Sequence, residues 1–120
     1  MVLIVGGRAA GKRDYALERF GLMGRALSPQ EALKAPLVDN FQDIIRQLMQ
    51  EKQDTQAYVT QLIRDNPGAV ILCDEVGLGI VPLDRGERAY REAVGQACCQ
   101  LAAAAFEVLR LVCGLPQQLK

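Results

Sequence analysis

A chain of 120 residues with 50% hydrophobic side chains suits one domain, 1–120, built on a single sizeable core. Its 14 basic and 14 acidic side chains cancel, so no global field draws in nucleic acid or an anionic membrane, and neither is expected as a partner. Four cysteines, none at C-x-x-C spacing, and no histidine make too poor a donor set for a structural zinc site. The thiols read instead as small buried apolar residues of a reducing compartment.

Val2 to Val5 is an apolar run too short for the core of a secretion signal, and glycines follow it at once. With no apolar stretch of about 20 residues to span a bilayer, a cytoplasmic protein is expected. The run reads as a buried strand leading into Gly6-Gly7-Arg8-Ala9-Ala10-Gly11-Lys12, which has the G-x-x-x-x-G-K spacing of a phosphate-binding loop between strand and helix. In such a loop the glycines let backbone N–H groups turn toward an anion, and the dipole of the next helix adds positive potential. The nucleotide-binding residues expected are Gly6, Gly7, Arg8, Ala9, Ala10, Gly11, Lys12 and Arg13, with Lys12 also a catalytic candidate. A tight strand-to-helix turn is the other reading of the spacing. Position 13 departs from the pattern. Serine or threonine there would ligate the Mg²⁺ that bridges nucleotide phosphates, whereas Arg13 pairs with phosphate but cannot bind a cation.

Past the loop, Ala16, Phe20 and Met23 recur at helical spacing and predict a helix from Lys12 to about Met23, loosened by Gly21 and Gly24. Ser28-Pro29-Gln30-Glu31 is a helix start, with serine at the N-cap, proline at the first helical position and glutamate at N3. That helix reaches about Ala35 before Pro36, and Leu37-Val38 reads as a short strand with Asp39-Asn40 at its exit. From Phe41, Ile44, Ile45, Leu48 and Met49 share one helical face, as do Tyr58, Val59, Leu62 and Ile63 later. The polar stretch from Gln50 to Gln56 marks where a long helix turns outward or breaks, and Asn66-Pro67-Gly68 ends it.

Ala69 to Cys73 reads as a buried strand closed by Asp74 and Glu75, and Gly77, Gly79 and Pro82 make the following stretch a loop. Asp84 and Glu87 then start a helix as N-cap and N3 residues. Its apolar stripe runs through Ala89, Tyr90, Ala93, Val94, Ala97, Cys98, Leu101, Ala102 and Ala105, with alanines that let it lie close to a sheet. Val108 to Cys113 is the last strand, stopped by Gly114 and Pro116. Strands alternating with helices imply parallel strands with helical crossovers. The fold class is therefore α/β, a three-layer arrangement like the P-loop nucleoside triphosphate hydrolases, with a mainly parallel sheet of about four strands.

In an open α/β sheet the ligand lies beyond the carboxyl ends of the strands. The glycine loop, the Asp39-Asn40 exit and the loop from Asp74 to Pro82 all fall there. An acidic residue after a neighbouring strand is where a phosphate-loop protein keeps a Mg²⁺-directed carboxylate, so Asp39, Asp74 and Glu75 are candidates. A helix N-cap or a solvated turn explains each of them too, Asp39 above all. Arg88 and Arg91 share a helix face and can reach toward phosphates or a second substrate, though a solvated face accounts for them equally. Tyr15, Tyr58 and Tyr90 read as packing at the edge of the core.

The run Glu75-Val-Gly-x-Gly-Ile-Val-Pro82 is followed by Arg88-x-Tyr90-Arg91-Glu92 and Gly95, then by Leu101-Ala-Ala-Ala-Ala105, Glu107-Val108 and a closing Gly114 with Leu119-Lys120. Together these closely resemble the C-terminal third of the adenosylcobinamide kinase/adenosylcobinamide-phosphate guanylyltransferase family of cobalamin biosynthesis. Gly6-Gly7-x-x-x-Gly11-Lys12 fits the family's P-loop, and Leu37-Val-Asp39 with Ile44 and Leu48 resembles, more loosely, its strand with an acidic end and the helix after it.

The resemblance implies ATP or GTP as nucleotide, a corrinoid as second substrate, and two reactions: phosphorylation of the cobinamide hydroxyl, then GMP transfer through a guanylyl-histidine. It further implies Lys12 and Glu75 as catalytic residues, Asp39 as the residue nearest any Mg²⁺, Arg88 and Arg91 as substrate-binding residues, and a homo-oligomer. The guanylyl step needs a histidine nucleophile, and the chain has none. The chain is also shorter than the family pattern, between the first helix and Leu37. Further departures are Arg13 in place of a hydroxyl residue, Asp74 where asparagine usually stands, and Cys98-Cys99 for an Asn-Gln pair. The expected function is a nucleotide-binding relative that keeps phosphorylation at most, on a weakened Mg²⁺ site. The alternative is a non-catalytic homologue that binds nucleotide or a protein partner as a regulatory module.

Overall fold

The computed structural model describes residues 1–76 and 84–120. Five strands form one sheet in the order β2-β3-β1-β4-β5. In chain order, β1 (Val2–Gly6) runs into α1 (Lys12–Phe20), and α2 (Pro29–Ala32) precedes β2 (Leu37–Val38). Then come α3 (Phe41–Gln50), α4 (Thr55–Asp65) and β3 (Val70–Asp74), followed by α5 (Arg85–Ala104), β4 (Glu107–Val112) and β5 (Leu115–Gln118). β1 is central and pairs in parallel with β3 on one side and β4 on the other, Gly6 lying level with both Asp74 and Leu111.

Alternation along the central strands assigns each side chain to a layer. Leu3, Ile71, Cys73 and Val108 face the layer built by α3, α4 and α5, where Phe41, Ile45, Leu62 and Leu101 complete the larger core. Val2, Ile4, Val70, Leu72, Leu109 and Leu111 face the other side, covered by Ala16 of α1 with Tyr15 and Phe20 packed at its rim. The architecture is thus the expected three-layer α/β arrangement with a mainly parallel sheet.

Several boundaries differ from those the sequence suggests. The first helix stops at Phe20, not Met23, because Gly21 adopts φ 68° and donates its N–H to the Leu17 carbonyl at 2.9 Å, a left-handed cap that turns the chain out. The long helical stretch after Phe41 does break within Gln50 to Gln56, one of the two outcomes its polar centre allowed: Lys52 takes φ 56°, and Asp54 caps α4 by accepting the Gln56 and Ala57 N–H groups at 3.0 and 3.1 Å. On α5 the buried stripe is Tyr90, Val94, Ala97 and Leu101, while Ala89 is exposed.

There are five strands, not about four, because Gly114 does not stop the chain but reverses it. Cys113 and Gly114 have φ 51° and 76° and join Val112 to its partner Leu115 in a two-residue turn, the mirror-image geometry that matches strand twist. Not all the thiols are buried: Cys73 is, Cys98 is half-buried, and Cys99 and Cys113 are exposed, one on the outer face of α5 and the other in that turn. All four are free.

Candidate functional site

Gly6 ends β1 and Lys12 begins α1, so five residues, 7–11, carry the chain from the sheet into the helix. The Ala10 N–H closes a turn on the Gly7 carbonyl at 3.1 Å, with Ala9 at φ 61° and Gly11 at φ 93°. Gly6 is required by space, since a Cβ there would stand 2.8 Å from the Leu111 carbonyl oxygen of the neighbouring strand. Gly11 is required by its φ, and being the N-cap of α1 it offers no side chain to occupy the first-turn N–H groups. The β4–β5 turn braces the loop from behind, the Gly114 N–H donating to the Ala10 carbonyl at 2.9 Å.

Lys12 is 7% exposed and folds back under the loop. Its ammonium donates to the Gly7 carbonyl at 2.8 Å and to Gly6 at 3.2 Å, and it pairs with Asp74 Oδ1 at 2.7 Å. Asp74 is brought there by register, as the last residue of β3 and level with Gly6. Gln42, in the first turn of α3, holds that carboxylate from the other side: its Nε2 donates to Asp74 Oδ2 at 3.1 Å and its Oε1 accepts the Asp74 N–H at 2.9 Å.

Asp39 follows β2 and is 3% exposed. Its Oδ1 accepts the Asn40 N–H at 2.8 Å, while Oδ2 meets Arg13 Nε at 3.1 Å and Arg25 Nη1 at 3.5 Å. Asn40 occupies the N-cap of α3, so Asp39 is neither cap nor solvated turn. Its role is to gather two guanidiniums. Glu75 goes elsewhere: its N–H donates to the Gly6 carbonyl at 2.8 Å, and its carboxylate takes a two-pronged pair from Arg110, Nε at 2.7 Å and Nη2 at 3.3 Å. Those hydrogen bonds raise the Arg110 guanidinium above its ordinary value.

An open cavity of about 980 Å³ lies over the loop, the size of a small-molecule site. Arg8 to Asp14, Arg25, Asp39, Gln42 and Asp74 line it, with Leu17, Leu22, Met23 and Leu37 as an apolar side. The loop, Lys12, Arg13 and Asp39 are therefore brought together. Glu75, Arg88 and Arg91 do not line this cavity. Arg88 is exposed and Arg91 half-buried, both near the start of α5.

The sequence model of the cobinamide kinase / cobinamide phosphate guanyltransferase family matches residues 22–119. The chain belongs to this family. The match begins after α1, so the glycine loop rests on its own geometry. One relative, the bifunctional adenosylcobalamin biosynthesis protein CobU of Escherichia coli (strain K12), is 37% identical over 67 residues. That alignment takes in 56% of this chain and 37% of the relative, so the chain spans well under two thirds of its length. Of the family-like run from Glu75 to Pro82, residues 77–82 lie outside those described.

Sequence reasoning missed Gln42, Arg25 and Arg110. Gln42 had a weak signal, a glutamine just past an acidic strand exit. Arg25 had none: it is placed by the pairing of Ala26 with Val38, where the Ala26 N–H donates to the Leu37 carbonyl at 3.0 Å.

Proposed function

We propose that this chain is a nucleotide-binding member of its family, acting in cobalamin biosynthesis. The backbone of Gly6 to Gly11 and the first-turn N–H groups of α1 would cradle the phosphates of ATP or GTP, with Lys12 as their counter-charge. The observation that carries this reading is the posture of Lys12, held beneath the loop by the Gly6 and Gly7 carbonyls and by Asp74 at 2.7 Å. A lysine so restrained reaches a bound phosphate by a short swing of its end, and the incoming oxygens compensate its charge as it leaves Asp74.

The family's kinase reaction is the one to test. A cobinamide hydroxyl oxygen would attack the terminal phosphorus, the bond to the nucleoside diphosphate oxygen would break, and the hydroxyl proton would be released. Arg88 and Arg91 stand near the start of α5, and their assignment to the corrinoid substrate belongs to this proposal, as does Glu75, acting through Arg110 and the Gly6 carbonyl. No histidine is present to carry a guanylyl group.

Mg²⁺ fits this site poorly. Both oxygens of Asp39 and both of Asp74 already have protein partners, Arg13 stands where a hydroxyl ligand would, and among the described residues no group of three or more His, Cys, Asp or Glu is arranged to hold a metal. A hard cation wants about six oxygens in a regular shell. The Arg13–Asp39 pair therefore favours a second reading, in which the domain binds nucleotide, or a protein partner, as a regulatory module without catalysis.

Titration of ATP and GTP into the native chain and into Lys12→Ala tests the reading: saturable binding is expected for the first and a loss of about 10-fold or more for the second. Equal binding by both would refute the role of the loop. Nucleoside diphosphate release on adding adenosylcobinamide then separates kinase from binding module. A cytoplasmic location and self-association belong to the same proposal. No described helix is long and apolar enough to cross a membrane, and the outer strand β5 is exposed along its length, with Leu115 71% accessible. A light-scattering mass of one chain at micromolar concentration would refute self-association.

A further inference from the structure

Asp39 has two guanidinium partners on one oxygen, Arg13 Nε at 3.1 Å and Arg25 Nη1 at 3.5 Å, and it is almost wholly buried between them. A lone carboxylate so placed neutralises one of the two cations, so the Arg13–Arg25–Asp39 cluster keeps one positive charge in excess, although Asp14, Asp43 and Asp74 also line the cavity and, with Asp39, balance its four basic groups as a whole. The excess is local to this cluster and faces the cavity. Asp39 is anchored by the Asn40 N–H, Arg13 is 62% exposed and Arg25 36%, and both line the cavity with Lys12. Each guanidinium spends one nitrogen on Asp39, and the other nitrogens pair with none of the described residues.

A phosphate loop that works through Mg²⁺ would need the opposite arrangement, with a hydroxyl after the lysine and a carboxylate free to accept the metal or its waters. Here the carboxylate is covered and the hydroxyl is replaced by a cation. Bringing Mg²⁺ to Asp39 would displace Arg13 or Arg25 and set a doubly charged ion against their guanidiniums. Planar guanidiniums bind phosphate oxygens two at a time and need no hydration shell removed from a metal.

We infer that the site takes a polyphosphate without a divalent cation, the Arg13–Arg25 pair held by Asp39 supplying the charge that a metal supplies elsewhere. This rests on the phosphate reading of the loop. The ligand class is a di- or triphosphate anion in its metal-free form, and complexation by Mg²⁺ competes with binding instead of promoting it.

Calorimetric titration of GTP and of inorganic pyrophosphate, each in EDTA and in excess Mg²⁺, tests the inference. Affinity in EDTA equal to or above that in Mg²⁺ is expected. Arg13→Ser should weaken binding in EDTA about 10- to 100-fold, the worth of a charged hydrogen bond to phosphate, and should leave binding stronger with Mg²⁺ than without it. Arg25→Gln, at a position away from the loop, should weaken the EDTA binding in the same direction; unfolding curves of both variants show whether they fold as the native chain does. Binding that appears only with Mg²⁺, or native-like affinity in EDTA for folded Arg13→Ser and Arg25→Gln, would overturn the inference while leaving the phosphate loop standing. No saturable binding in either medium would overturn the loop reading itself, and the inference with it.

Discussion

Replacing Gly6 with alanine sets a methyl carbon 2.8 Å from the Leu111 carbonyl oxygen, closer than carbon and oxygen approach without repulsion. The obstacle is backbone in a paired strand, level with Gly6 in the β1–β4 register, so it cannot rotate aside as a side-chain tip would. Relief requires β1 and β4 to part at the point where the loop leaves the sheet. Forced overpacking of this kind costs about 1–3 kcal/mol, which for a domain of this size lowers the melting temperature by roughly 4 °C per kcal/mol. Gly7→Ala is the control, because no heavy atom lies within 4 Å of a Cβ at that position and its effect should stay within about 0.5 kcal/mol. Urea unfolding followed by circular dichroism reads both, with a lower midpoint for Gly6→Ala at unchanged slope. Equal midpoints for the two variants, or a larger loss at Gly7, would refute the steric account of the first glycine.

Lys12→Met leaves Asp74 facing the loop carbonyls without its 2.7 Å partner and should cost about 1–3 kcal/mol; adding Asp74→Asn should recover part of that loss, and a double variant no more stable than the single one would speak against the pair. Tyr58 donates to the buried Pro29 carbonyl at 2.7 Å, so Tyr58→Phe should destabilise by about 1–2 kcal/mol at neutral pH. Burial pushes the Tyr58 phenol up from 10.0 to about 12. Since the unfolded phenol ionises first, its stabilisation is complete below pH 10 and is lost as pH rises from 10 toward 12, by about 1–2 kcal/mol after solvent screening. The gap between native and Tyr58→Phe unfolding should therefore close over that range, and a constant gap would contradict the assignment. Against a small thiol reagent, exposed Cys99 and Cys113 should react quickly and Cys73 only on opening, because its thiol is pushed up by the hydrogen bond with Cys98 and by burial; four thiols reacting at one rate would exclude this.

The central strands were legible because β1 and β3 are covered on both faces and read as unbroken apolar runs. The helix starts at Ser28 and Asp84 were legible because their caps are local: Ser28 Oγ accepts the Glu31 N–H at 3.2 Å and Asp84 Oδ1 the Gly86 N–H at 2.8 Å. β5 was hidden, having a proline and four exposed residues with no apolar face to betray a period. The choice between Asp74 and Glu75 was hidden too. Adjacent residues at a strand end point to opposite sides, and only the register of β3 against β1 turns Asp74 toward Lys12 and leaves Glu75 to Arg110. Asp39 was found by position, but its two arginine partners come from separate stretches of chain that meet only in the folded molecule.

The bond from the Gly114 N–H to the Ala10 carbonyl has a consequence in time. The loop is synthesised well before the turn that braces it and the β4 strand that confines Gly6. A nascent chain lacking β4 and β5 would carry the whole glycine motif without the scaffold that shapes it. Ribosome-bound intermediates should therefore gain the phosphate affinity proposed for this loop abruptly, only as β4 and β5 emerge.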